Sequence, residues 1–349
     1  MSDALQTGVV WAIQALIILA PGLIPLAIVP GLVYVERRMS AFIQDRIGPN
    51  RVGPLGLLQP VADALKFIFK EDIVPPHAHR WLYILAPAFA AVPALCTLAV
   101  VPLGHTLHVF GREIALIAAD VNVGILVVFG LTSLGVYGIV LAGWASNNKY
   151  SLLGGLRSSA QMISYELSLG LSVIGVIMLA GSLRLTDIVM MQDKLNWFVF
   201  LQPIGAIVFL IASYAETNRL PFDLPEAETE LVAGYHTEYG SMKFALFFLG
   251  EYAAMITASA LTVTLFFGGW QLPYYLEWSR HLPQLLADLI PPAVFAFKTL
   301  FFLFLMIWVR WTFPRFRYDQ LMDFGWKVML PAALLNIAWT AVIILAGWV

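Results

Sequence analysis

Cysteine and charge are what this sequence has least of. Cys96 is the one cysteine in 349 residues, and it sits inside an apolar run. That excludes an intrachain disulfide, a CxxC zinc site and a cysteine-ligated iron–sulfur cluster, and leaves Cys96 as an expected packing residue. Charged residues make up 12% of the chain against 60% hydrophobic, and the mean hydropathy is +0.81. An ordinary soluble core does not use so little charge, so the chain reads as a membrane protein. No Walker A loop and no strand-borne GxGxxG occurs, so no bound nucleotide is expected. The histidines form no HExxH pattern, and His77 and His79 lack an acidic or cysteine partner nearby, so no metal site is expected. With a formal net charge of -2, nucleic-acid binding has no support. No Lys or Arg precedes Arg37, so the first apolar stretch lacks the basic region of a cleaved signal and is expected to remain as a span.

What the chain has instead is long apolar runs. A span needs about 20 apolar residues, and eight runs meet or nearly meet that: Val9 to Val35, Trp81 to Leu103, Val121 to Trp144, Ala160 to Ala180, Trp197 to Ala215, Phe244 to Phe267, Pro291 to Val309 and Val328 to Val349. Backbone groups in hydrocarbon must satisfy one another, so each run is expected to be a helix, giving an all-α polytopic domain over residues 1–349. Alternating the connecting loops between two sides puts fifteen of the 20 Lys and Arg on one side. By the positive-inside rule that side is cytoplasmic and both termini lie opposite. Pro21, Pro25 and Pro30 predict a kinked or interrupted first helix. The three prolines of the first run are not repeated in the fifth or sixth run, which counts against a transporter built of two inverted halves.

Two cytoplasmic segments stand out. Residues 36–80 begin with a turn-rich stretch containing Gly48, Pro49, Gly53 and Pro54. From Pro60 onward, Val61, Ala64, Leu65 and Ile68 share one face of a short amphipathic helix suited to the membrane surface. Residues 216–243 carry Glu216, Asp223, Glu226, Glu228, Glu230 and Glu238 against Arg219 and Lys243. Pro225 followed by Glu226 and Glu228 predicts a helix start, with Gly234 near its end. Glu226 and Glu230 then share a face, and like charges shielded from water favour proton uptake by one of them. Glu166, Glu251 and Lys298 lie inside apolar runs, where an ionisable residue must face protein or water. With Glu36 and Glu216 at run ends, the acids predict a graded row leading into the bilayer. Lys298 is a candidate counterion for one of them. The loops on the other side read as plain connections.

Three stretches together resemble one family: ERRMSAFIQDRIGPNRVGPLGLLQPVADALK, AETNRLPFDLPEAETELVAGYHTEYGSMKFALFFLGEY and RWTFPRFRYDQLM. They are similar to the membrane subunit that forms the heel of proton-pumping NADH:quinone oxidoreductase, respiratory complex I, called the H subunit in bacteria. The likeness runs over essentially the whole chain. It implies an oxidoreductase subunit without a redox centre of its own, in the bacterial inner membrane or an equivalent energy-transducing membrane. Its partners would be the other membrane subunits and the soluble iron–sulfur subunits, which hold the flavin and clusters, with a quinone as substrate. The resemblance implies that Arg37, Arg46, Pro49, Gln59, Asp63, Phe222 and Arg310 line or support the quinone tunnel. It likewise implies that Glu166, Glu216, Asp223, Glu226, Glu228, Glu230 and Glu251 form the acidic coupling path, which Glu36 adjoins. Arg38 beside Arg37 departs from the family pattern. A lone proton or cation transporter, a membrane-bound hydrogenase subunit and a passive scaffold are the competing readings.

Overall fold

The computed structural model describes residues 3–193, 196–224, 232–274 and 282–347. The chain is mostly helical. α1 spans Asp3–Ile43, α2 Gln59–Phe69, α3 Arg80–Thr97, α4 Gly124–Ala145 and α5 Lys149–Ala180. Short helices α6 (Leu185–Met191) and α7 (Phe198–Leu201) lead into α8 (Pro203–Glu216). α9 (Ser241–Phe266), α10 (Gln284–Thr312), α11 (Tyr318–Phe324) and α12 (Leu330–Leu345) complete the bundle, the last two joined by a π-helical turn at Gly325–Met329. Among the described residues seven helices are long and apolar enough to cross a membrane.

The fifth apolar run departs from expectation. It is broken at Gln202, and its main piece, α8, has 14 residues. Pro203 causes the break, because it lacks the N–H a continuous helix would need and suits a first helical position. α12 repairs the interruption: Asn336 Oδ1 accepts from the Gly205 N–H at 2.9 Å, and the Trp339 indole donates to Leu201 O at 3.0 Å. Of the two forms expected for the first run, kinked or interrupted, interruption does not occur. Despite its three prolines α1 is one helix of 41 residues. Pro21 and Pro25 are buried on the same face as Val29 and Leu32, toward the rest of the bundle, where helix packing tolerates them.

α5 and α9 are the most buried of the long helices and form the centre, with α3, α4, α8, α10 and α12 around them. Small residues set the close crossings, as in membrane bundles generally. A Cβ at Gly138 of α4 would meet Ala90 N of α3 at 2.6 Å, so only hydrogen fits there. Cys96, expected as a packing residue, is exposed at the bundle surface.

The loops remote from the acidic stretch are more structured than plain connections. Thr106–Val109 and Arg112–Ala115 pair as an antiparallel hairpin, β1–β2, which corrects the purely helical reading. Nearby, Lys298 Nζ donates to the carbonyls of Phe267, Gly269 and Gln271 at 2.8, 3.1 and 2.8 Å and lies 4.5 Å from the Trp197 ring centre. It caps the end of α9 and is not a counterion for an acid, because three carbonyl oxygens take up its donors.

The hairpin is clasped to α10 through His108. Its Nδ1 lies 3.0 Å from Asp288 and its Nε2 3.5 Å from Glu113, while its backbone N–H donates to Asp288 at 2.8 Å. Only an imidazolium can donate to both carboxylates. The Asp288 hydrogen bond, against a smaller effect of burial, raises the His108 pKa above the ordinary value. Stabilisation by this clasp is therefore complete below about pH 6.5, the unfolded histidine value. It is lost as the pH rises through the raised folded value. Amide protection factors over residues 106–115, with the intrinsic pH dependence of exchange divided out, should be larger in acid than in alkaline buffer, and His108→Ala should remove that difference. Equal protection factors in the wild-type chain at both pH values would refute the clasp.

Candidate functional site

The charge-poor chain buries a cluster of four charges where α1, α9, α10 and the turn after α8 meet. Glu36 is 5% exposed near the end of α1 and receives three donors. Arg219 Nη1 lies 2.9 Å and the Tyr252 hydroxyl 2.6 Å from its Oε2, and Arg310 Nη1 lies 2.5 Å from its Oε1. Arg219, 2% exposed, also donates through Nε to Glu251 at 2.6 Å and lies 3.9 Å from the Tyr252 ring centre. Burial opposes the charge on Arg219, but Glu251 and Glu36 outweigh it and hold its pKa above the ordinary arginine value. Each charge is tolerable only because the others are present.

Glu251 also faces a cavity of ≈ 100 Å³ lined by residues of α3, α4, α5, α8 and α9. Glu216 lines the same cavity, with Asn218 and the hydroxyl residues Thr97, Thr132 and Thr257. Glu216 hydrogen-bonds Thr132 and feels the charge of Glu166, which in turn hydrogen-bonds Ser133. The acids expected as a graded row thus form two groups, Glu36 with Glu251 and Glu216 with Glu166, joined through one cavity that Glu251 and Glu216 both line.

The rest of the expected site surrounds this core. Asp223 pairs with Arg315 at 2.9 Å. Phe222 packs against Tyr165, Tyr214 and Phe316, and its carbonyl accepts from Gln161 at 2.7 Å, which ties the start of the acidic loop to α5. Asp63 of α2 pairs with Arg37 at 2.6 Å and accepts from Gln59 at 3.3 Å. Pro49 sits in a loop held by Arg38, whose Nη1 donates to Ile47 O at 2.8 Å and Pro49 O at 3.4 Å. Arg46 is exposed and contacts Gln44. Glu226, Glu228 and Glu230, and the helix expected from Pro225, lie outside the described residues; Gly234 opens a short 3₁₀ turn, Gly234–His236.

A family model described as NADH dehydrogenase matches residues 13–341. The chain belongs to that family. Within it, an NADH-quinone oxidoreductase H subunit of Geobacter sulfurreducens is 55% identical over 319 residues, covering 91% of this chain and 90% of the relative. An H subunit of the same oxidoreductase from Cytophaga hutchinsonii is 48% identical over 332 residues, covering 95% and 96%. NADH-quinone oxidoreductase subunit 8 of Rhodothermus marinus is 54% identical over 314 residues, covering 88% and 89%. For this member of the NADH dehydrogenase family, sequence reading alone gave Arg219 and Tyr252 no role, although they complete the Glu36 site. Tyr252 had a usable signal, since it follows Glu251 directly. Arg219 was counted as one of the loop's few cations, and its approach to α1 depends on a contact 183 residues away in the chain.

Proposed function

We propose that this chain is the membrane subunit of a proton-translocating NADH:quinone oxidoreductase, forming the membrane end of the quinone passage with the soluble arm and coupling quinone reduction to proton movement. The observation that carries the reading is the continuity of the site. Asp63 of α2 pairs with Arg37, Glu36 is the residue next to Arg37, and Arg219 links Glu36 to Glu251 at the cavity.

A lipid-soluble quinone needs an apolar entrance near the membrane surface. α2 and the preceding loop supply one: Val61, Leu65 and Ile68 are 52%, 48% and 58% exposed, and Ile47 and Leu55 nearby 70% and 68%. Apolar surface of this kind is left for lipid, quinone or a partner to cover. In this reading α2 lies along the membrane, Arg37, Arg46, Pro49, Gln59, Asp63, Phe222 and Arg310 border the passage, and the acids respond to the charge change on quinone reduction. Asp223, Glu226, Glu228 and Glu230 stand at the mouth of the path, and Glu166, Glu216 and Glu251 within it. The broken α7–α8 pair serves as the eighth crossing, the basic side is cytoplasmic, and both termini lie opposite. The flavin and iron–sulfur clusters belong to partner subunits of a bacterial inner-membrane complex.

Purification in mild detergent tests the assembly: flavin and iron–sulfur proteins should accompany the chain, and an active lone chain would overturn the reading. Glu216→Gln tests the coupling. The variant should assemble, because a neutral amide fits the same cavity wall, yet quinone reduction or pumping should fall more than about tenfold, within the range of a lost proton-transfer group. Full activity in both assays would reduce Glu216 to a packing residue.

A further inference from the structure

Arg219 connects the two halves of the acid system. It donates to Glu36 through Nη1 and to Glu251 through Nε, whereas its buried Nη2 has no hydrogen-bond partner among the described residues. Glu36 is saturated by Arg219, Arg310 and Tyr252 on the side of the surface helix. Glu251 opens onto the cavity that Glu216 lines.

The charge count gives this geometry a consequence. Two guanidiniums and two carboxylates balance when both acids are ionised. One proton on either acid leaves an excess positive charge in a buried site, and a second proton adds another. A buried excess charge is costly at short range, so the two protons disfavour each other. The free Nη2 supplies a means of exchange. When Glu36 is protonated and loosens its hold on Nη1, Nε and Nη2 can grip Glu251 as a fork, which favours an ionised carboxylate.

We propose that Arg219 is a positioning residue that makes proton occupancy of Glu36 and Glu251 mutually exclusive, so that a proton arriving on Glu36 expels one from Glu251 into the cavity. The balance is one proton in and one out. An O–H bond forms on Glu36, the O–H bond of Glu251 breaks, and the released proton passes to water in the cavity or to the Glu216 carboxylate. No electron moves in this step. The linkage is reciprocal: a proton on Glu251 hinders protonation of Glu36 to the same extent. The inference rests on the coupling function proposed above, and it adds which side chain carries the signal between the two acids.

The test uses the assembled complex in sealed vesicles, with protons moved per electron pair as the readout, because that ratio does not depend on how much complex assembles. Arg219→Lys keeps the charge but loses the fork. Whatever its rate of quinone reduction, its proton ratio should fall at least twofold. A normal ratio in this variant would overturn the proposal. If Arg219→Lys does not assemble, Tyr252→Phe decides: it keeps the ring beneath Arg219 and removes one donor from Glu36. The acid limb of its pH–rate profile should move to higher pH, since the ionised form of Glu36 has lost support, and an unmoved limb would overturn the proposal. Glu216→Gln separates the two levels. Impaired pumping in Glu216→Gln beside a normal ratio in Arg219→Lys removes only the role of Arg219, whereas normal pumping in both removes the coupling function itself.

Discussion

Glu36→Ala is expected to abolish quinone reduction and to lower stability by about 3 to 5 kcal/mol, the range for breaking a buried ion pair by removing one partner. The cause is the charge left behind. Arg219 is almost wholly buried and Arg310 is 18% exposed at its side chain, and without Glu36 the Arg219 guanidinium keeps Glu251 while Arg310 loses its carboxylate. Glu36→Gln should cost less stability, because the amide oxygen still accepts a hydrogen bond, but it should lose activity as fully. Thermal denaturation of the assembled complex beside quinone-reductase assays separates the effects. A double variant, Glu36→Met with Arg310→Met, removes one charge of each sign and should recover stability without activity. Stability in Glu36→Ala within about 0.5 kcal/mol of wild type, the range of a neutral surface change, would show that the cluster is not a mutually dependent unit.

The second large effect is expected at a residue with no chemistry. Gly56 has φ +79°, and a Cβ placed there would lie 2.3 Å from Pro49 O and 2.5 Å from Pro49 C. The obstacle is backbone, so Gly56→Ala must displace the loop itself. Strain from the left-handed conformation adds roughly 1–3 kcal/mol. Pro49 O is an acceptor for Arg38, and the neighbouring Leu55 O accepts from the Tyr34 hydroxyl at 2.8 Å, so the displacement reaches both anchors of the loop. If this loop borders the quinone passage, the KM for a long-tailed quinone should rise at least about tenfold, equivalent to 1.4 kcal/mol. Electron transfer from NADH to a hydrophilic acceptor should be unchanged. Gly111→Ala is the control: its φ is +76° but nothing lies within 4 Å of the added Cβ, and it sits on the distant hairpin. An equal rise in KM in Gly111→Ala, or none in Gly56→Ala, would count against the loop's place at the passage.

Some of this architecture was legible in the residues. Apolar runs announce membrane helices because the bilayer sets their length and forbids unsatisfied backbone, and seven of the eight runs correspond to long helices. Glu166 and Glu251 announced themselves because an acid in an apolar run is costly wherever it faces lipid, and Glu36 and Glu216 because each ends such a run. Proline was the weaker guide. Three prolines did not interrupt α1, whereas Pro203, at the end of a short turn of helix, broke the fifth run. The same ring is tolerated on one packed face and breaks a helix elsewhere, and neighbouring helices decide which.

By itself the sequence determined that this chain inhabits a membrane, that its one cysteine cannot ligate an iron–sulfur cluster alone, which apolar runs carry ionisable residues, and to which family it belongs. Only tertiary structure decided how those groups pair. It brought Arg219 to Glu36 across 183 residues, assigned Arg310 to the other oxygen of the same carboxylate, and turned Lys298 to the carbonyl end of α9. Hydropathy follows from local composition and can be read along the chain. Electrostatic partnership in a low-dielectric interior depends on separations of a few ångströms between segments far apart in sequence, and packing alone sets those.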